Sequence, residues 1–337
     1  MIRVLIIRTV CISGYGKKLK KHNGIIAVES GDDGEGNRDK HTISPLDIDL
    51  LMLSGEHDIT TGALRLLLSS GVDVAVLDSF GNPAGYLLPC GKSKLIERFE
   101  GQKSLGTKRR LAIARMVCTA SLTNKVSLLR SVSKNIELCF DEEIGNILSS
   151  AGNIENCNDA GSLMGVEGYS TNEYFSALRK VIPEEFGFTG RERMPPCDPV
   201  NALFGYGYGI LYSVVRRAIV KAGLSPYYGV LHSSYKNQEA LVYDLIEEFR
   251  QPVVDRVILT LISRKQVSPV DFKLTDKGCM MNGYFKKQYA DHILTRLEKE
   301  YTYEKRKLNF YEIIESQAQK MEKAVFENEP YKPFIYR

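Results

Sequence analysis

The stretch LGTKRRLAIARMVCTASLTNKVSLLRSV, residues 105–132, decides how the chain is read. Its apolar residues recur every three or four positions, the spacing of an amphipathic helix. The sequence ahead of it has another rhythm. RVLIIRTVCI (3–12), GIIAVES (24–30), HTISPLDIDLLMLSG (41–55) and VDVAVLD (72–78) are apolar strand runs. Turn-rich GYGKKLKKHNG (14–24), polar SGDDGEGNRDK (30–40) and FGNPAGYLLP (80–89) separate or follow them. One short helix is expected within this part, with a cap signal at Asp58 or Thr60 and a stop at Gly71.

After Val132 the helical period continues. CDPVNALFGYGYGILYSVVRRAIVKAGLSP (197–226) is clearly punctuated: Asp198 as N-cap, Pro199 as first helical residue, Gly223 as stop and Pro226 beyond it. A further helix is expected over about 239–263, and the last part is charged and helical in pattern. The reading is therefore an α+β protein. It has a small β-rich N-terminal domain over 1–90, an all-α catalytic domain over 91–325, and a flexible tail over 326–337 ending in YKPFIYR.

Composition removes several classes. At 43% hydrophobic and 26% charged residues the chain is an ordinary folded protein, not a disordered one. The opening apolar run is broken by Arg3 and Arg8, and no segment approaches the ~18 uninterrupted apolar residues of a membrane span. The seven cysteines are odd in number, scattered and without a CxxC pair, which argues against a disulfide framework or thiolate zinc site and for a reducing cytoplasm. The net charge is +4, but residues 94–134 alone carry ten Lys/Arg against Glu97 and Glu100. Such a block suits either a surface that meets a polyanion or a solvated helix face.

YYGVLHSSYKNQEALVYDLIEEFR (227–250) places His232 in a loop ahead of Asp244 and Glu247, which lie three apart on one helical face. A third acid, Glu167 in GVEGYSTNEYF, sits in an apolar setting where a carboxylate needs a partner. Each has a duller reading: a satisfied loop histidine, a solvated helix face, a salt-bridged or capping glutamate. Together, carboxylates and one imidazole suit Mn²⁺ or Mg²⁺ and phosphodiester chemistry.

GVEGYSTNEYF (165–175), DPVNALFGYGYGIL (198–211), GVLHSSYKNQEALVYDLIEEFRQPVVDRVI (229–258) and KGCMMNGYFKKQY (277–289) resemble the serial signatures of the CRISPR-associated adaptation endonuclease/integrase, the Cas-one family. SGEHDITTGALRLLLSSGVDVAVLDSFGNPAGYL (54–87) resembles that family's β-domain, so the likeness covers nearly the whole chain in order. The resemblance implies a homodimer formed through N-terminal domains, DNA as substrate, and a complex with the small Cas-two protein. It implies Glu167, His232 and Glu247 as ligands of Mn²⁺ or Mg²⁺, with Asp244 as a catalytic residue that orients a ligand or substrate. Asp stands in some members where Glu247 stands here. Phosphate contacts are expected from Arg179, Lys180, Arg191, Arg193, Arg216, Arg217 and Arg250. Asn201 reads as either a family-matching residue with a role of its own or a helix cap, and Tyr174, Tyr206 and Tyr208 as either DNA contacts or core. The implied activity is insertion of short DNA fragments into a CRISPR array by 3′-hydroxyl attack. The alternatives are a nuclease of branched or linear DNA with a repair role, and a catalytically silent DNA-binding subunit.

Overall fold

The structure, a computed structural model, describes residues 9–30, 40–48, 50–78, 83–90, 95–134, 138–192, 195–233 and 238–336. The start of the first strand run (3–8), most of the acidic segment 30–40, and Arg193 lie outside the described residues.

The N-terminal part holds two sheets. One has strand order β1-β5-β7-β8, from Thr9–Ser13, Leu50–Ser54, Asp73–Leu77 and Pro83–Leu87. The other has order β4-β3-β2-β6, from Lys40–Ile43, Ile25–Glu29, Lys18–His22 and Asp58–Ile59. Helix α1, Thr61–Ser69, begins at Thr60, whose side chain accepts from the Ala63 N–H, and the chain leaves it through Gly71 at φ +80°. Strand β5, LLMLS, pairs in parallel with β1 and β7 and is buried along its whole length. That burial on both faces explains why its sequence does not alternate. Leu51, Leu53, Val72 and Val74 pack with Leu19, Ile26 and Leu67 in the small β core. Leu50, Met52, Ala75 and Leu77 belong to the helical core. The two parts thus share one sheet.

The helical part contains α2 (Leu95–Lys103), α3 (Thr107–Ser133), α4 (Asp141–Gly152), α5 (Ala160–Arg179), α6 (Pro199–Lys221), α7 (Ala240–Ile246), α8 (Arg256–Ser263), α9 (Gly283–Glu298) and α10 (Phe310–Phe326). Helix α6 is its axis and is buried over most of its length. Its Asp198 cap, Pro199 start and Gly223 exit at φ +73° are those the sequence indicates. A methyl group at Gly207 would meet the Tyr289 hydroxyl at 2.5 Å and Val254 at 2.6 Å. The FGYGYG segment therefore carries glycine where two neighbouring elements close on the helix.

Three expectations need correction. The helical part is not all-α: hairpins β9–β10 (Phe272–Thr275, Gly278–Met281) and β11–β12 (Tyr301–Tyr303, Arg306–Leu308) interrupt it. In the second, Glu304 and Lys305 both take positive φ, the geometry of a tight hairpin turn.

The helix expected over 239–263 is broken. Pro252 has no N–H to offer the Glu248 carbonyl, residues Arg250–Asp255 open into a π-helical turn, and Asn124 Nδ2 donates to that carbonyl at 2.9 Å instead.

The tail is not loose. Phe334 is fully buried, stacked on Phe249 with ring centroids 5.4 Å apart, and the Tyr336 N–H donates to Asn124 Oδ1 at 2.8 Å. No helix among the described residues is long and apolar enough to cross a membrane.

Candidate active site

Helices α3, α5 and α6, the 227–233 loop, α7 and the π turn enclose a cavity of about 190 Å³. Glu167, His232 and Glu247 all line it, together with Lys125, Arg191, Tyr208 and Arg250. Asp244 does not line it and sits behind the histidine.

The loop carrying His232 is fastened from several sides. Gln102 on α2 donates to the Ser225 and Tyr228 carbonyls at 2.9 and 2.7 Å, and Arg110 on α3 donates to the Gly229 carbonyl. Asp244, fully buried on α7, accepts from the backbone N–H groups of Val230, Leu231 and His232. Its Oδ1 also lies 2.8 Å from His232 Nδ1. This fixes the ring and leaves Nε2 as the nitrogen available to a ligand, the arrangement by which a carboxylate orients a metal-binding imidazole. Burial pulls the His232 pKa down, but the Asp244 hydrogen bond and the charges of Asp244, Glu247 and Glu167 raise it above its ordinary value. A methyl group at Gly229 would lie 2.7 Å from Asp244 Oδ2 and 2.6 Å from the His232 carbonyl, so the glycine of GVLH is what lets the clamp close.

The two glutamates are held by cations. Glu167, on α5, accepts through Oε1 from Lys125 Nζ at 2.7 Å and Thr171 Oγ1 at 2.6 Å. Burial alone would raise its pKa, but the Lys125 ammonium outweighs it and holds the carboxyl at about 2. Glu247, just past α7, accepts from Arg250 Nε at 2.8 Å and Ser121 Oγ at 3.2 Å. The Arg250 guanidinium also sits 4.5 Å over the Tyr208 ring.

As these side chains stand, no three His, Cys, Asp or Glu among the described residues lie close enough together to hold a metal ion. The donor chemistry nonetheless fits a hard divalent cation: two carboxylates and one oriented imidazole share a polar cavity.

The remaining expected residues divide. Arg191 lines the cavity, donates to Asn201 Oδ1 at 2.9 Å and lies over Phe204 and Tyr208. Asn201 also donates to the Gly190 carbonyl at 2.8 Å and accepts from the Glu192 N–H at 2.9 Å. It thus fastens the Arg191 loop, while Asp198 is the cap. Arg179 is exposed on the last turn of α5, and Lys180 pairs with Glu143.

Arg216 and Arg217 must be corrected as phosphate contacts. Arg216 is buried against Glu239 at 2.8 Å and over Tyr86, and Arg217 is buried and paired with Asp73 at 2.8 Å. Both tie α6 to the sheet or to the loop before α7, so each guanidinium already meets a carboxylate of the fold. Tyr174 and Tyr208 donate to buried Asp255, each at 2.7 Å, and Tyr206 is core. Within the basic block, Arg110, Arg115 and Lys125 point into the protein, whereas Lys103, Lys108, Arg130 and Lys134 are exposed.

The residue that sequence reasoning passed over is Lys125. Its one sequence signal is a lysine set among the apolar residues of SLTNKVSLL.

Comparison with known proteins supplies the context. The family model described as CRISPR associated protein Cas1 matches residues 10–295. A curated relative from Methanospirillum hungatei, described as CRISPR-associated endonuclease Cas1 1, is 42% identical over 330 residues, covering 98% of this chain and 99% of the relative. Among solved structures, a casposase bound to integration product superposes with TM-score 0.87 at 22% identity, over 98% of this chain and 95% of the other. A chain of a Cas6-RT-Cas1–Cas2 complex superposes with TM-score 0.82 at 22% identity, over 98% of this chain and 36% of the other. The identities of the two structures support a shared fold.

Proposed function

The chain belongs to the Cas1 family, and from that premise we propose that it is a divalent-metal-dependent DNA endonuclease and integrase. Its reaction would insert short DNA fragments into a CRISPR array, a fragment's 3′-hydroxyl displacing one side of a phosphodiester. The observation that carries this reading is the meeting of Glu167, His232 and Glu247 on one polar cavity, from three segments far apart in sequence.

Mn²⁺ or Mg²⁺ held by Glu167, Glu247 and His232 Nε2 would supply the charge that stabilises the phosphoryl-transfer transition state and activates the attacking hydroxyl. The chain's own groups supply position. Asp244 holds the imidazole, so His232 brings Nε2 into the cavity without searching rotamers. Arg191 and Arg250 line the same wall and can meet phosphate oxygens with planar, charge-assisted donors. Tyr208 backs both guanidinium groups.

DNA and a Cas2-type protein are the proposed partners, supported by what the casposase and Cas1–Cas2 neighbours are described as binding or joining. A homodimer through the N-terminal sheets and a cytoplasmic setting complete the proposal. The endonuclease description of the curated relative favours a second outcome at the same centre, hydrolysis, with water replacing the 3′-hydroxyl.

An assay with labelled fragment and repeat-containing target separates the two, because water cannot give a joined strand. Joined product that requires Mn²⁺ or Mg²⁺ is expected. Joining undiminished in chelator, or surviving Glu167→Ala and His232→Ala, would sink the reading.

A further inference from the structure

One cation inside the cavity has no role in the reaction outlined above. Lys125 lies in the middle of α3 between buried neighbours, and its side chain is only 2% exposed. Its ammonium donates to Glu167 Oε1 and to Ser121 Oγ, each at 2.7 Å, and Ser121 donates onward to Glu247 Oε2 at 3.2 Å. A single ammonium therefore links both carboxylates of the cavity, one directly and one across a hydroxyl. Fold stability alone does not call for a charge here, since an apolar side chain would fill the space without the cost of desolvating an ammonium. Two carboxylates facing one small cavity do call for it. Lysine brings a compact point charge, the kind of group a small metal ion replaces, whereas Arg250 meets the other oxygen of Glu247 through its Nε.

We propose that Lys125 is the resident counter-cation of the site. It is a positioning residue that keeps Glu167 and Glu247 facing the cavity in the metal-free protein and yields Glu167 when the divalent ion binds. This rests on the metal-dependent reading given under Proposed function. The ammonium and the ion compete for the same carboxylate charge, so part of the ion's binding energy is used to displace the lysine.

Removing Lys125 should then have opposite effects on fold and on metal. The metal-free protein should melt at a lower temperature, because a buried carboxylate has lost its partner. Mn²⁺ should bind more tightly, because its competitor is gone.

The test is calorimetric Mn²⁺ titration and thermal melting of the full chain as wild type, Lys125→Met, Lys125→Arg and Glu167→Gln. Lys125→Met is expected to bind Mn²⁺ on the order of tenfold more tightly than wild type and to gain more melting temperature from it. Lys125→Arg keeps the charge but not its compact shape, so it should not bind Mn²⁺ more tightly than wild type, and Glu167→Gln should lose the site. If Lys125→Met does not fold, Lys125→Gln keeps an amide donor for Glu167 without the charge, and the same comparison applies. Wild-type binding with no tightening in the neutral variant overturns the role of Lys125 alone. No Mn²⁺ binding by either protein overturns the metal-dependent reading, and the role of Lys125 falls with it.

Discussion

Glu247 and Glu248 are consecutive, both buried, and placed in opposite environments. Glu247 faces the cavity and is met by the Arg250 guanidinium and the Ser121 hydroxyl. Glu248 faces away and is met by the Tyr331 hydroxyl and the Phe334 N–H of the C-terminal tail. Burial pushes the Glu248 carboxyl up to about 8, against the downward pull of its two hydrogen bonds and of the Lys320 charge. A buried carboxylate beside a fixed cation is poised to bind positive charge, whereas one among neutral groups serves as an acceptor that holds a chain segment in place. A single step along the chain therefore turns from chemistry to architecture.

The largest expected break in this contrast is on the cavity side. Glu247→Ala, Glu167→Ala or His232→Ala should each cut strand joining on the order of 10³-fold, the loss expected when several kcal/mol of metal-centred stabilisation disappears. Single-turnover joining assays on folded variants would measure it.

Phe334→Ala tests the other side. Emptying a fully buried aromatic site should cost roughly 3–5 kcal/mol of stability by denaturant melts, while the folded fraction keeps its cavity residues. A Phe334 variant as stable as wild type would show that the tail is not part of the core.

Asp244→Asn is subtler, since it preserves shape but weakens the hold on His232 Nδ1. Metal affinity should fall about 10–100-fold.

The last effect is one of pH. Glu248 is ionised in the unfolded chain above its ordinary pKa of 4.5 but stays protonated in the fold up to about 8. The native state therefore binds the extra proton between those values, and stability falls as pH rises through that window. Amide exchange in residues 331–336 should quicken from pH 5 to pH 8 beyond the intrinsic base-catalysed increase. In Glu248→Gln, whose side chain does not titrate, that excess should be absent.

Much of the fold was legible because it follows local rules. Asp198, Pro199 and Gly223 bracket α6 by cap chemistry alone, and the change of period near Lys94 marks where strands give way to helices. The misses are tertiary. The π turn needs Asn124 to satisfy the carbonyl that Pro252 leaves open, and nothing near Pro252 in sequence announces Asn124. The tail reads as loose because its partners, Phe249, Tyr301, Tyr303 and Phe310, come from elsewhere in the helical part. In the site, the spacing of His232, Asp244 and Glu247 was legible. That Glu167 joins their cavity follows from the packing of α3 against α5 and α7, and before that it rested on family resemblance. Lys125 was hidden by its company: within a basic block it counts as one more surface charge, and only its burial separates it.

The central claim is that Glu167, His232 and Glu247 form one metal centre. An anomalous difference map from a crystal grown with Mn²⁺ tests it most directly. The account predicts a single peak in the cavity, about 2.0–2.3 Å from His232 Nε2 and from a carboxylate oxygen of each glutamate. A cavity without a peak, or manganese bound only elsewhere, would contradict it.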